Sequence, residues 1–476
     1  MKKRIFVLSA LVFMLSCRKE HDFHPDKNYQ DNVQVINELS EEEKKSLLLV
    51  NEDQTVTEEE AIELAEAAMN ELVASQGGSD SRVGGAKRQV SGITKIDFTE
   101  NPDPNARTSD KPLTMAYIVN FSDGGGNEGG FAIIGGDKRL PSVFGISDEG
   151  SLDKNPDNPG AYIVLRNIET YALNEIENFE RKYAKYLESA LNKIGIKDTL
   201  SRGLRSSDVV VNAGGFTFHY GTMKTTSKRN PLVPVKWNQR SPYNDSVPKY
   251  CSSLKDEAYT GCIATALAQI CSAHKFPKKV NNISLDWKAL NAEKNAANLS
   301  SSNRKKVAGL FKFIGQKVKM NYGCNGSGSD NENAKNGLRA LGFRTSVVAA
   351  FNSEKVIPIL DWGFPVYVSG FAKKETTDYF FFETTSYNEG HAWVIDGYYT
   401  QSMPVKIYIT GTNLLVSSFV SEQTLLHCNF GWGGSKNGYY FAGAFDTDAG
   451  PSARVEAGKS GYYQYKLEMI KDIEPK

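Results

Sequence analysis

Apolar residues return at helical spacing from Ala61 through Ala65, Ala68 and Met69 to Leu72. The polar run in front of them, Thr57-Glu58-Glu59-Glu60, has the form of a capping box and predicts that a helix begins there. The pattern then changes. Ser75 to Gln89 is polar and rich in Gly and Ser, which reads as a loop. Ala116 to Phe121 and Phe131 to Ile134 are strand-like, and Gly124 to Gly130 between them predicts a hairpin turn. Leu165, Ile168, Ile176, Phe179, Tyr183 and Leu187 form the stripe of a long helix from about Leu165 to Lys193. Residues 54–200 therefore read as an α+β domain with its own core.

Residues 201–230 break the pattern. Ser201 to Asp208 and Lys224 to Asn230 are small, polar and basic, suited to exposure and cleavage. Beyond Pro231 the character shifts again. All 5 Trp lie in this later part, at 237, 287, 362, 393 and 432. Gly261-Cys262 opens an apolar helix with Ile263, Ala266, Leu267 and Ile270 on one face. Val405, Ile407 and Ile409 alternate with Lys406, Tyr408 and Thr410 as in a strand, and Leu425–Asn429 and Tyr439–Ala442 follow as short strands. Residues 231–476 are thus a second domain, and a chain of 476 residues is too long for a single core.

Lys+Arg and Asp+Glu both number 56, and no basic run is present to neutralise a phosphate backbone, so no nucleic-acid partner is expected. The first residues read as a targeting segment. Lys2-Lys3-Arg4 precedes an apolar run from Ile5 to Leu15, which is too short for a membrane span. Met14-Leu15-Ser16-Cys17 resembles a relaxed bacterial lipobox, so residues 1–16 are expected to be a signal peptide and Cys17 the lipidated residue. Residues 17–53 then serve as a tether at an outer membrane or cell surface. Apart from Cys17 the chain has Cys251, Cys262, Cys271, Cys324 and Cys428, an odd number that leaves at least one thiol unpaired in an exported chain. Any disulfide among Cys251, Cys271, Cys324 and Cys428 stays open. No C-x-x-C pair occurs, and neither a metal nor an organic cofactor is expected.

The candidate chemistry lies in the second domain. A Cys in the first turn of a helix meets the positive end of the dipole, which favours the nucleophilic thiolate. Cys262 is in that position, although a small buried packing Cys would look the same locally. Gly390-His391 begins the strand-like Ala392 to Gly397, so His391 can face a cleft and act as general base and then general acid. Asn429, in His427 to Gly434, can orient that imidazole through its side-chain carbonyl, shielded by Phe430 and Trp432. Gln239 can donate its amide to an oxyanion, a contribution of ~3 kcal/mol for such donors. His274 lies three turns beyond Cys262 on the same helix and reads as structural, and His427 is a weaker rival base. The order Gln239, Cys262, His391, Asn429 is that of papain-like peptidases.

With these motifs the later part of the chain, about residues 230–475, resembles the streptopain family of secreted bacterial cysteine peptidases. The similarity runs through Tyr259-Thr-Gly-Cys262 to Ile270 and Gln239 with Pro242-Tyr-Asn244. It continues in Met320 to Gly323 with Gly326-Ser327-Gly328-Ser329, in Gly390-His391 to Gly397, and in Asn429 to Gly434 with Asn437 to Tyr440. Tyr117–Phe121, Gly130–Ile134, Arg139–Pro141 and Ser147–Gly150 are similar to the family's propeptide. The resemblance implies a papain-like α+β fold of a helical part plus an antiparallel sheet part, preceded by an inhibitory α+β propeptide. It implies protein or peptide substrates with an apolar residue one position before the attacked one, in a cleft bordered by Gly326 to Ser329 and Gly390. A Gly- and Ala-rich segment, 443–463, would border that cleft as a mobile loop. Two departures stand out. Phe430 follows Asn429 where the family usually has Trp, and the stretch from His391 to Asn429 is long enough to lengthen a hairpin. The rival readings are a catalytically inactive binding or inhibitory lipoprotein of the same fold and a cell-wall amidase or transpeptidase.

Overall fold

The computed structural model describes residues 39–51, 53–76, 88–98, 114–194, 215–251, 256–379, 382–411, 414–445 and 467–476. The signal segment, Cys17 and most of the expected 443–463 loop lie outside the described residues. Among the described residues no helix is long and apolar enough to cross a membrane.

The first domain is built around helices α1 (Glu41–Ser46), α2 (Glu58–Gln76) and α3 (Pro159–Ile194). Its strands are β1 (Gln89–Asp97), β2 (Thr114–Ser122), β3 (Glu128–Gly135) and β4 (Val143–Ser147), an antiparallel meander. The capping box is present at α2: Glu60 N–H donates to Thr57 Oγ1 at 3.1 Å, and Thr57 N–H donates to Glu60 Oε2 at 2.9 Å. β2 is buried on both faces. Tyr117, Val119 and Phe121 pack with α2, whereas Ala116 and Ile118 pack with α3, the period-2 alternation of a strand between two layers.

Two expectations change here. α3 starts at Pro159, six residues before the expected Leu165, because Asn158 caps it: its Oδ1 accepts from Gly160 and Ala161 N–H at 3.0 and 3.2 Å. Asn at the cap and Pro at the first helical position form a start signal that hydrophobic spacing alone misses. The expected tether is in part folded. Leu39, Leu47 and Leu48 are buried against Phe179, Tyr183 and Ala190 of α3, and Glu43 pairs with Lys193 at 2.9 Å.

The second domain has a helical part, α4 (Cys262–His274), α5 (Trp287–Ala292), α6 (Ser301–Lys317), α7 (Asn331–Ala340) and α8 (Ser353–Asp361). Its sheet part consists of β5 (Phe216–Tyr220), β6 (Lys224–Arg229), β7 (Ala349–Ala350), β8 (Val366–Tyr379), β9 (Phe382–Ile409), β10 (Leu415–Asn429), β11 (Gly438–Phe441) and β12 (Glu468–Ile470). This is the helix-plus-antiparallel-sheet arrangement expected. β9 and β10 form the lengthened hairpin, paired from Val394↔Asn429 to Tyr408↔Leu415. The expected linker is not free over its whole length. Its later half forms β5 and β6, both paired with β9, since Phe216 and Phe218 have an apolar face to bury. Residues 201–214 lie outside the described residues.

The two domains share one sheet. β4 pairs with β11 through Ile146↔Tyr439 and Gly145↔Tyr440, which gives the order β1-β2-β3-β4-β11-β10-β9-β8-β12-β7. They also share a core, in which Ile163, Val164 and Ile168 of α3 meet Trp393, Phe430 and Tyr440. On the opposite face of β9, Ala392 and Val394 pack with Ile263, Ala266 and Leu267 of α4. β9 is thus held between α3 and α4, and that position determines the state of the candidate site.

Candidate active site

Cys262 is the first residue of α4, after Gly261 at φ 87°. A side chain at Gly261 would be strained at that angle, and a Cβ there would lie 2.6 Å from Met320 Sδ. Glycine is therefore what lets the chain enter the helix against Met320 and deliver Cys262 at the dipole's positive end. The residue is partly exposed, but its sulfur lies deep. Burial raises the thiol pKa above its ordinary value, and backbone N–H groups of Ala392, Ile263 and Cys262 offset part of that rise.

Cys262 and His391 line one cleft of about 720 Å³. Ser327, Gly328, Ser329 and Gly390, expected at the cleft, line it too, together with Tyr367 and Phe371. Gly326 is next in the same loop. Gln239 is half-buried, and its backbone carbonyl accepts from Thr260 N–H at 3.1 Å, two residues before Cys262.

The His391–Asn429 contact expected from the sequence is not made in this structure. The reason is strand alternation. His391 shares a face of β9 with Trp393 and Ile395, the face that packs on α3. Its ring is nearly parallel to that of Trp393, at 11°, and its Nε2 donates to the carbonyl of Phe430 at 2.8 Å. Asn429 belongs to the α4 side. Its Oδ1 accepts from Gln269 Nε2 at 2.8 Å and from Gly431 N–H at 3.3 Å, and its Nδ2 donates to Val235 O at 3.2 Å. Gln269, on α4 inside the nucleophile motif, is thus a partner that the sequence reading assigned no role. Burial depresses the His391 pKa to about 4, with the Phe430 carbonyl acting in the opposite sense. At neutral pH the site therefore holds a neutral thiol and a neutral imidazole.

What covers His391 comes from the first domain. A Cβ on Gly160, in the first turn of α3, would lie 2.2 Å from Phe430 Cδ1 and 2.9 Å from His391 Cδ2. Only a glycine permits this approach. Asn158, the cap of α3, also donates from Nδ2 to Ser435 O at 2.7 Å. Phe430 is fully buried, 6.1 Å from Trp393 and 5.7 Å from Tyr440, and Trp432 is half-buried at the edge of the same core.

The other histidines sit apart from the thiol. His274, at the far end of α4, packs 5.3 Å from Phe343, and burial lowers its pKa to about 4. His427 Nδ1 bonds Asp396 Oδ1 at 2.6 Å. Cys251 and Cys324 form a disulfide, while Cys271 and Cys428 are buried thiols. No group of His, Cys, Asp and Glu able to hold a metal is found among the described residues.

Residues 237–440 match the Peptidase C10 family. Streptopain of Streptococcus pyogenes is 24% identical over 395 residues, which cover 75% of this chain and 80% of that protein. The thiol protease/hemagglutinin PrtT of Porphyromonas gingivalis is 21% identical over 429 residues, covering 83% of this chain and 42% of PrtT. Among solved structures, a fragment of prointerpain A from Prevotella intermedia aligns at TM-score 0.48 and 19% identity, over 81% of this chain and 100% of the fragment. These similarities support a streptopain-like cysteine peptidase, with residues 237–440 matching the Peptidase C10 family.

Proposed function

We propose that the protein is an exported endopeptidase made as a zymogen, with Cys262 as nucleophile, His391 as its acid–base partner and residues 54–200 as the inhibitory propeptide. The observation that carries this is the meeting of Cys262, at a helix start, with His391 in one cleft, while Gly160 of the first domain lies against the imidazole. The presence of Gln239, Cys262, His391 and Asn429 together favours a working enzyme over an inactive binding relative.

The reaction follows from the groups. Once α3 is removed, the β9 backbone around His391 shifts so that the imidazole comes to the α4 side and takes the Cys262 proton. The thiolate adds to a peptide carbonyl carbon, and the oxyanion is held by the Cys262 N–H and the Gln239 amide. His391 protonates the leaving amine as the C–N bond breaks. It then takes a proton from water, whose oxygen displaces sulfur from the thioester and releases the acid. Asn429 orients the imidazole in that second position, and Phe430 and Trp432 keep water from the pair.

In the latent state the imidazole is on the wrong face of its strand, buried and uncharged. Cleavage in 195–214 leaves β5 and β6 with the catalytic domain, since strand-paired backbone resists proteases. Export and a lipid anchor at Cys17 are part of the proposal and rest on Lys2 to Cys17. Maturation would release the catalytic domain from that anchor.

The test is a time course with the protein lacking residues 1–17 beside its Cys262→Ala variant, each on casein with reductant. The first is expected to shorten to a core starting between 195 and 215 and to digest casein; the variant is expected to do neither. A wild type that stays inert after controlled trimming would favour the binding-protein reading instead.

A further inference from the structure

The Cys251–Cys324 disulfide joins residues 73 apart in sequence and lies outside the catalytic groups. Its two ends fall on segments that meet at the nucleophile. Cys251 is eleven residues before Cys262, on the chain that leads through Ala258 and Tyr259 into α4. Cys324 is in the loop that supplies Ser327, Gly328 and Ser329 to the cleft wall.

The two segments meet through Met320, which lies against Gly261, and through a few hydrogen bonds. Between the segments Ser327 Oγ donates to Tyr259 O at 2.6 Å and Tyr259 N–H donates to Gly323 O at 3.4 Å, while within the loop Gly323 N–H donates to Ser327 Oγ at 3.0 Å. Also within the loop, Asn321 and Gly328 exchange backbone hydrogen bonds at 2.9 and 3.1 Å. Met320 and Tyr322 tie the start of the loop to the core around α4, and a small cluster of Val247, Cys251 and Ala258, with Tyr322 and Cys324 against it, surrounds the disulfide. The loop also carries Gly323, Gly326 and Gly328, which lose much entropy when ordered. A covalent link at Cys324 extends the hold on such a loop beyond Tyr322, the residue packed on the core.

We propose that the Cys251–Cys324 disulfide is a positioning element of the substrate cleft. It holds loop 320–329 against the entry to α4 so that the wall facing Cys262 is formed before substrate arrives. The proposal rests on the peptidase reading above. It predicts that opening the disulfide weakens substrate binding while the chemistry at Cys262 continues.

The experiment compares full-length chain, allowed to process, with its Cys251→Ser/Cys324→Ser double variant. Both are assayed under a monothiol sufficient to keep Cys262 reduced, on a peptide that extends to both sides of the cleaved bond. The expected result is KM raised about tenfold with kcat within about twofold, the mark of lost ground-state binding. A second readout needs no activity. In the Cys262→Ala background, hydrogen exchange at Gly323 and Gly328 N–H is expected to speed up when the disulfide is absent. If the double variant fails to fold, reduction and alkylation of the folded Cys262→Ala protein gives the same comparison. Unchanged KM and unchanged exchange would overturn the proposal, as would a fall in kcat with KM unchanged. Absence of turnover in the wild type would count against the peptidase reading, and the exchange comparison would still decide the role of the loop.

Discussion

On the proposed reading, latency turns most narrowly on Gly160. Its missing side chain lets α3 reach the His391 and Phe430 rings, and any Cβ would overlap Phe430. Gly160→Val is therefore expected to lift the first turn of α3 off the imidazole. The uncleaved variant should show peptidase activity several-fold above the uncleaved wild type, read on a short peptide in the presence of Cys262-competent reductant. Equal latency in both chains would contradict the role given to α3. Gln269 supports a second prediction. It holds Asn429 at 2.8 Å, and Asn429 is buried. Gln269→Ala removes the shorter of the two hydrogen bonds to the Asn429 carbonyl and leaves the one from Gly431 N–H, at a cost of roughly 0.5–1.5 kcal/mol for a lost hydrogen bond, to be seen as a lower urea midpoint. At this scale the place of Cys262 at a helix start was legible, because the apolar stripe after it and the glycine before it are local features. The side to which His391 points was not, because it depends on which layer α3 covers and on Gly160, more than 200 positions earlier in the chain.

Elements explain which boundaries the sequence disclosed. The capping box and alanine stripe mark α2 clearly, and all five stripe positions from Ala61 to Leu72 are buried. α3 was read six residues short, because its first turn is specified by Asn158 and Pro159 and by its contact with the other domain. β5 and β6 were read as linker because their polar residues face solvent, whereas the partner that orders them, β9, lies far along the chain. Their pairing sharpens the maturation prediction. Sequencing of the purified active form should find its first residue between 195 and 215, with Phe216 to Arg229 retained. A first residue beyond 229 would mean that β6 is dispensable and would contradict this account.

At the level of the molecule, both domains share one sheet and one apolar core, so removal of the first uncovers β11 and the Trp393–Phe430 face together. Two backbone rungs, Ile146↔Tyr439 and Gly145↔Tyr440, are few; the shared core contributes most of the hold. That hold is expected to weaken in acid. His391 and His274 are buried with pKa values lowered to about 4, so the unfolded chain binds protons that the folded proenzyme refuses. Stability should be highest above about 6.5, fall as pH drops towards 4, and change no further from these groups below that. Urea unfolding of the uncleaved Cys262→Ala protein at pH 7, 5 and 4 measures this. Adding His391→Gln should flatten the slope, and an unchanged slope would show that His391 is not the buried neutral group described here.

On the proposed reading one chain contains a Cys262–His391 enzyme and the helix that keeps it idle. The most direct measurement is the alkylation rate of Cys262 at pH 6, followed by mass spectrometry on the uncleaved and the cleaved protein, each beside its His391→Ala variant. The account predicts slow alkylation of the uncleaved chain, whose buried thiol has a raised pKa, and no effect of the substitution there. It predicts much faster alkylation after cleavage, lost again in His391→Ala. Equal rates before and after cleavage, or a fast rate that survives loss of His391, would contradict it.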